Sequence, residues 1–230
     1  VELVTKRTLI LGDISSLAQI LCRFEKGESF EDTATYRDSL CKNRDIHINW
    51  LNLELSEKSS IENFLVEIRD SKFERVFSLI SEITNKYFLN ISYTKLSKYY
   101  STYVVNSSYL LQNCLSNIHP TSNIFFMSSR ARANASYDVH YSAVKSALEG
   151  YVRSSARALS SNQGIIGISS GLIQNARMHL DMKSEHRKSH KERVRDTLIT
   201  VEELCSQIWN LSAGKSSENN DQIIHLGPAY

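Results

Sequence analysis

The chain has 230 residues, of which 41% are hydrophobic and 23% charged, and its formal net charge is +2. This length and composition suit one sizeable α/β domain of a globular protein. The near-neutral balance argues against a nucleic-acid or membrane-surface partner, and no apolar run approaches the ~20 residues that span a bilayer.

Residues 1–7 lead directly into a strand and do not read as a signal peptide. Residues 8–12, Thr-Leu-Ile-Leu-Gly, form a short apolar run ending in glycine and predict a buried first strand. Helical periodicity follows over 15–24. Residues 33–36 predict a second strand, stopped by Arg37 and Asp38, and 46–53 alternate as a third. A helix opens near Ser56, with that serine as its cap. Residues 75–80 predict a fourth strand, and 95–115 one long helix. Residues 124–129, Ile-Phe-Phe-Met-Ser-Ser, form an apolar strand ending in hydroxyls. A helix runs through 146–159, a strand over 164–170, a helix over 202–211 and a last strand over 222–226. Strands alternating with helices predict a doubly wound parallel sheet, a Rossmann-like α/β fold in a single domain. Strand C-terminal ends, and with them the site, then lie along one edge. Cys22, Cys41, Cys114 and Cys205 lack metal-type spacing and read as reduced thiols of a cytoplasmic protein. His186 and His190 share a helix face, but nothing else supports a metal site, and none is expected.

The strongest chemical signal joins Ser128 and Ser129 to Tyr141-Ser-Ala-Val-Lys145. On a helix, positions i and i+4 share a face, so Tyr141 and Lys145 converge. A nearby ammonium favours the phenolate and lowers the tyrosine pKa. Such a tyrosine can pass a proton to or from an alcohol or carbonyl oxygen that a serine holds. The accompanying hydride needs a cofactor.

These residues resemble the active-site segment of the short-chain dehydrogenases/reductases, and the pattern of strands and helices is similar along nearly the whole chain. The resemblance implies one domain over 1–230, with 1–120 mainly binding cofactor and 121–230 mainly catalytic and substrate-binding. It implies Tyr141 as general acid or base, Lys145 as its support and as a nicotinamide-ribose contact, and Asn106 as holder of a relay water. Counting back from Tyr141 by the family's spacing reaches Ser128 as the catalytic serine. Matching the strand register reaches Ser129, which is favoured. Adjacent strand residues face opposite sides, so one of the two serves.

The cofactor half departs from the family pattern. In place of T-G-x-x-x-G-x-G stands Leu11-Gly12-Asp-Ile-Ser-Ser16-Leu17-Ala18. Gly12 is kept, and Ser16 and Ala18 are small enough for a close approach of backbone to pyrophosphate at a helix N-terminus. Arg37 stands where a guanidinium would bind a ribose 2′-phosphate, so NADP(H) is favoured over NAD(H). Glu54 and Leu55 match the adenine contact. The usual N-N-A-G becomes Leu79-Ile-Ser81-Glu82, and Gly171, Ile173 and Asn175 follow the sixth strand on the nicotinamide side.

The sequence therefore reads as an NAD(P)H-dependent oxidoreductase, of carbonyl reductase or alcohol dehydrogenase type, acting on a small molecule. The alternative is a non-catalytic binding or scaffold protein of the same fold with weakened cofactor affinity. Arg130, Arg132 and the cationic stretch 183–195 would suit an anionic substrate, though a solvated helix face is the plainer reading of that stretch. The small residues Ala143, Ala147, Gly150, Ala156 and Ala158 suit close helix packing, and the resemblance implies a homodimer or homotetramer.

Overall fold

A computed structural model describes residues 6–12, 30–36, 48–80, 91–130, 138–159, 162–171, 173–174, 179–180, 184, 198–213 and 222–226. Seven strands form one sheet: β1 (Lys6–Leu11), β2 (Phe30–Tyr36), β3 (Ile48–Asn52), β4 (Phe73–Ser78), β5 (Ile118–Ser129), β6 (Gly164–Ser170) and β7 (Ile223–Leu226). Their spatial order is β3-β2-β1-β4-β5-β6-β7, and every pairing is parallel. The order reverses between β1 and β4, and the crevice in which doubly wound sheets bind their ligands belongs at the C-terminal ends of those two strands.

Both faces of the sheet are covered, as the unbroken apolar runs of the central strands require. Leu9, Leu11, Ile124, Phe126 and Ile165 turn to one face. There they meet α1 (Lys58–Glu67), α3 (Ser107–Cys114) and α4 (Val139–Ser155). Ile10, Phe77, Phe125, Met127, Ile166 and Ile168 turn to the other face, against Leu204, Cys205 and Ile208 of α5 (Val201–Ala213). The period-two alternation thus divides each strand between two separate cores.

The boundaries refine the sequence reading. The strand ending at Ser129 begins at Ile118, with a register shift opposite the segment between Phe73 and Arg75. That irregularity accommodates Pro120, which cannot donate to a regular ladder. The predicted serine cap at Ser56 is not what opens α1. Its N-cap is Glu57, with no side-chain hydrogen bond. The Ser56 N–H instead donates to the Glu54 carboxylate at 3.0 Å, and the Glu54 N–H donates to Ser60 Oγ at 2.8 Å.

The single helix expected over 95–115 is three pieces: α2 (Tyr93–Tyr100), capped by Ser92, a π-helical stretch Ser101–Asn106, and α3. Hydrophobic periodicity reports a continuous helix because a π insertion displaces a face without breaking the run. Such bulges concentrate at functional sites, and this one ends at Asn106. Among the described residues no helix is long and apolar enough to cross a membrane.

Candidate active site

The site is built where β4 and β5 end and α4 begins. Asp138 caps α4 by accepting the Tyr141 N–H on Oδ1 at 2.9 Å. The cap fixes the first turn, so the Tyr141 ring is set by the helix start and not by a loose loop. Val144, Leu148 and Val152 bury the same face against the sheet. Tyr141 and Lys145, on that face, are carried into the protein with them and are 6% and 1% exposed.

Lys145 passes between the strand ends. Its Nζ donates to the carbonyl oxygen of Met127 at 2.6 Å and to that of Ile80 at 3.4 Å. The same nitrogen lies 5.7 Å from the centre of the Tyr141 ring. Burial pulls the Lys145 pKa down to about 7, against an opposing pull from Glu149. A buried amine on which desolvation and Glu149 act in opposite directions, beside a buried phenol, marks a candidate site.

The two serines part company. The Ser128 hydroxyl donates to Oε1 of Glu149 on α4, and Ser128 is 3% exposed. Ser129 is half-buried, the last residue of β5, paired in register with Ser170. Ser128 is thus engaged inside the core, whereas Ser129 ends the strand at the crevice.

Asn106 ends the π-helical stretch. Its Nδ2 donates to the Leu55 carbonyl at 2.8 Å and ties the π-helical stretch to the turn after β3. Leu55 is 8% exposed and belongs to the core, while Glu54 spends a carboxylate oxygen on its own turn. His140 is buried and meets the Tyr100 hydroxyl at 3.4 Å.

Gly12 ends β1 with φ +143°, and a Cβ there would meet the carbonyl carbon and Cβ of Leu79 at 3.1 Å. Glycine is therefore required by both conformation and space at the mouth of the crevice. The Leu79 N–H closes the strand ends by donating to the Leu11 carbonyl at 2.7 Å. Gly171 follows β6, and Ile173 forms an isolated bridge with Ile199, packed on the second core. Ser16, Leu17, Arg37, Ser81, Asn175, Arg132 and all of the cationic stretch except Ser184 lie outside the described residues. Arg130 is 9% exposed, so it is buried and does not form part of an open basic rim. Among the described residues no group of three metal-ligating side chains converges.

Sequence reading missed Glu149. The signal was available: a carboxylate four residues after Lys145 stands on the face that Val144, Leu148 and Val152 mark as apolar.

No family model matches the chain, and no curated protein matches it. Solved structures do. A short-chain dehydrogenase family protein from Francisella tularensis superposes with a TM-score of 0.83 at 13% identity, over 97% of each chain. A short-chain dehydrogenase/reductase from Serratia marcescens gives 0.82 at 13% identity, over 97% of each. BdcA in complex with NADPH gives 0.80 at 14% identity, over 96% of this chain and 92% of that one.

Proposed function

We propose that this chain, which has the fold of the short-chain dehydrogenases/reductases, is an NAD(P)H-dependent oxidoreductase interconverting a carbonyl and an alcohol, with NADP(H) favoured. The observation that carries the reading is Lys145. An ammonium buried to 1% exposure, 5.7 Å from a buried tyrosine ring where β4 and β5 of a parallel sheet end, has a clear chemical use and a poor structural one. A hydrophobic residue would fill that space at lower cost.

Gly12 stands at the turn after β1, where backbone would approach a pyrophosphate, and its missing Cβ lets Leu79 pack closely against that turn. Gly12, Ser16, Leu17, Arg37, Glu54, Leu55, Ser81, Gly171, Ile173 and Asn175 would hold the cofactor, together with Tyr141 and Lys145. When bound it would supply or accept the hydride.

The chain's own residues do the rest. In reduction the Tyr141 hydroxyl gives its proton to the carbonyl oxygen, and in oxidation the phenolate takes it back. The Lys145 charge stabilises that phenolate. Ser129 donates a hydrogen bond to the same oxygen and holds it in line. Ser128 is the weaker candidate because Glu149 already takes its hydroxyl. Asn106 supports the site by bracing the turn at Leu55. The exposed small residues Ala143, Ala147 and Gly150 line one stripe of α4, and we assign that stripe to packing between subunits of a homodimer or homotetramer.

The test is NADPH fluorescence on titration with the protein, followed by a screen of small carbonyl substrates, anionic ones included. Enhanced emission with turnover supports the reading, and no binding at millimolar NADPH overturns it. One observation favours the alternative of a non-catalytic binding protein: Glu54 is partly used up by its own turn. Under that alternative, Tyr141→Phe would change nothing measurable.

A further inference from the structure

The proposed chemistry makes no use of Glu149. Its side chain is 4% exposed, on the face of α4 that otherwise meets the sheet through Tyr141, Val144, Lys145, Leu148 and Val152. A buried carboxylate needs hydrogen-bond partners. One is Ser128, whose hydroxyl donates to Oε1. Ser128 stands beside Ser169 in register, and the Ser169 Oγ is buried without a hydrogen-bond partner. The floor under Glu149 is therefore a small polar island of two adjacent strand-end hydroxyls. Glu149 follows Lys145 by one helical turn, which places carboxylate and ammonium on the same face.

We propose that Glu149 is a positioning residue for Lys145: its buried carboxylate, held by the Ser128 hydroxyl, keeps the Lys145 side chain in its ammonium form beside Tyr141. The inference deepens the reading above and takes from it that Lys145 works as a cation.

The physical case runs through what else touches the ammonium. Met127 and Ile80 offer carbonyl dipoles, which orient the N–H bonds but bring no net charge. Burial acts to strip the proton, and Glu149 is the charged group that acts against it. Among the described residues, other titratable groups around α4 have contacts of their own. His140 and Tyr100 meet each other, Asp138 caps the helix start, and Arg75 of β4 lies over Trp209 on the opposite face of the sheet, 4.3 Å from its ring centre. Arg130, at the end of β5, carries positive charge and cannot substitute for a carboxylate. The Ser128 hydrogen bond fixes where the Glu149 carboxylate stands, so the serine supports the lysine at one remove.

The decisive experiment reads Lys145 directly. Protein labelled with 13C-lysine is titrated from pH 5 to 10 by NMR, and the Lys145 Cε signal is identified as the one missing from Lys145→Met. Glu149→Gln should lower the Lys145 midpoint by about one pH unit or more, and Ser128→Ala should lower it by less. NADPH affinity and carbonyl reduction are measured on the same samples. The alkaline limb of the wild-type rate profile should move down by the same amount in Glu149→Gln. An unchanged Lys145 midpoint in Glu149→Gln overturns the proposal whatever the activity. If Glu149→Gln does not fold, an unchanged midpoint in Ser128→Ala overturns it in its place. Lowered midpoints in a protein that never binds NADPH uphold the Glu149–Lys145 coupling and overturn the oxidoreductase reading instead.

Discussion

The Lys145 ammonium donates to the Met127 carbonyl oxygen at 2.6 Å, so the side chain that follows Tyr141 by one turn of α4 is anchored to the last residues of β5. This contact locks the tyrosine's helix to the serines' strand. The helix and the strand that carry the proposed site therefore move as one body.

Replacing Tyr141 by phenylalanine removes the proton donor and leaves the packing. The expected result is a fall in kcat/KM of about 10²–10⁴-fold, the usual worth of a positioned general acid, with NADPH affinity little changed. Steady-state kinetics beside a fluorescence titration checks both halves.

Lys145→Met separates stability from activity. Burial lowers the folded-state pKa of Lys145 from 10.5 to about 7. Between those values the unfolded chain binds the extra proton, so stability rises with pH across that window. Burial pushes the Cys114 and Cys205 thiols up to about 12, and they act in the opposite sense once pH passes the ordinary thiol range. The clean window is therefore roughly pH 7 to 8.5. Urea unfolding should show stability climbing across it in the wild type and a flatter profile in Lys145→Met, which should also lack reductase activity.

Gly12→Ala should be costly. The backbone φ of +143° and the 3.1 Å approach to Leu79 both oppose a methyl group. A loss of about 1–3 kcal/mol is expected for forcing a side chain into such a position. Thermal melts read the loss, and NADPH affinity should fall with it because the same turn would face the pyrophosphate.

Asp138→Ala removes the cap that holds the Tyr141 N–H. The expected cost is about 1 kcal/mol of stability. Activity should fall further than stability does, because the frayed turn is the one that carries Tyr141. Melting temperature and kcat measured together distinguish this from simple unfolding.

Gly150 has no atom within 4 Å of where a Cβ would stand, so one subunit tolerates a side chain there. Gly150→Arg should keep the melting transition of the subunit and split the expected oligomer into monomers. Light scattering on a sizing column measures the mass directly.

Much of this architecture was legible from the residues. Apolar runs ending in glycine or serine marked the strands, since a buried parallel strand needs apolar side chains on both faces. Tyr141 and Lys145 announced themselves through helical spacing and a hydroxyl-ended strand. Periodicity could not reveal the π-helical stretch before Asn106, because one extra residue in a helix leaves its composition unchanged. Nor could it show that Asn106 would brace Leu55, a contact between residues 51 apart in the chain.

The sequence by itself determined the alternating α/β order and placed a phenol and an ammonium on one helix face, because both are local consequences of chain periodicity. The tertiary structure decided that Ser128 meets Glu149 and what surrounds the ammonium. Ser128 meets Glu149 only when α4 lies on β5, and Lys145 loses water only when β4, β5 and α4 close around it. Such contacts depend on register and burial across distant segments, and those are set when the sheet and its helices pack.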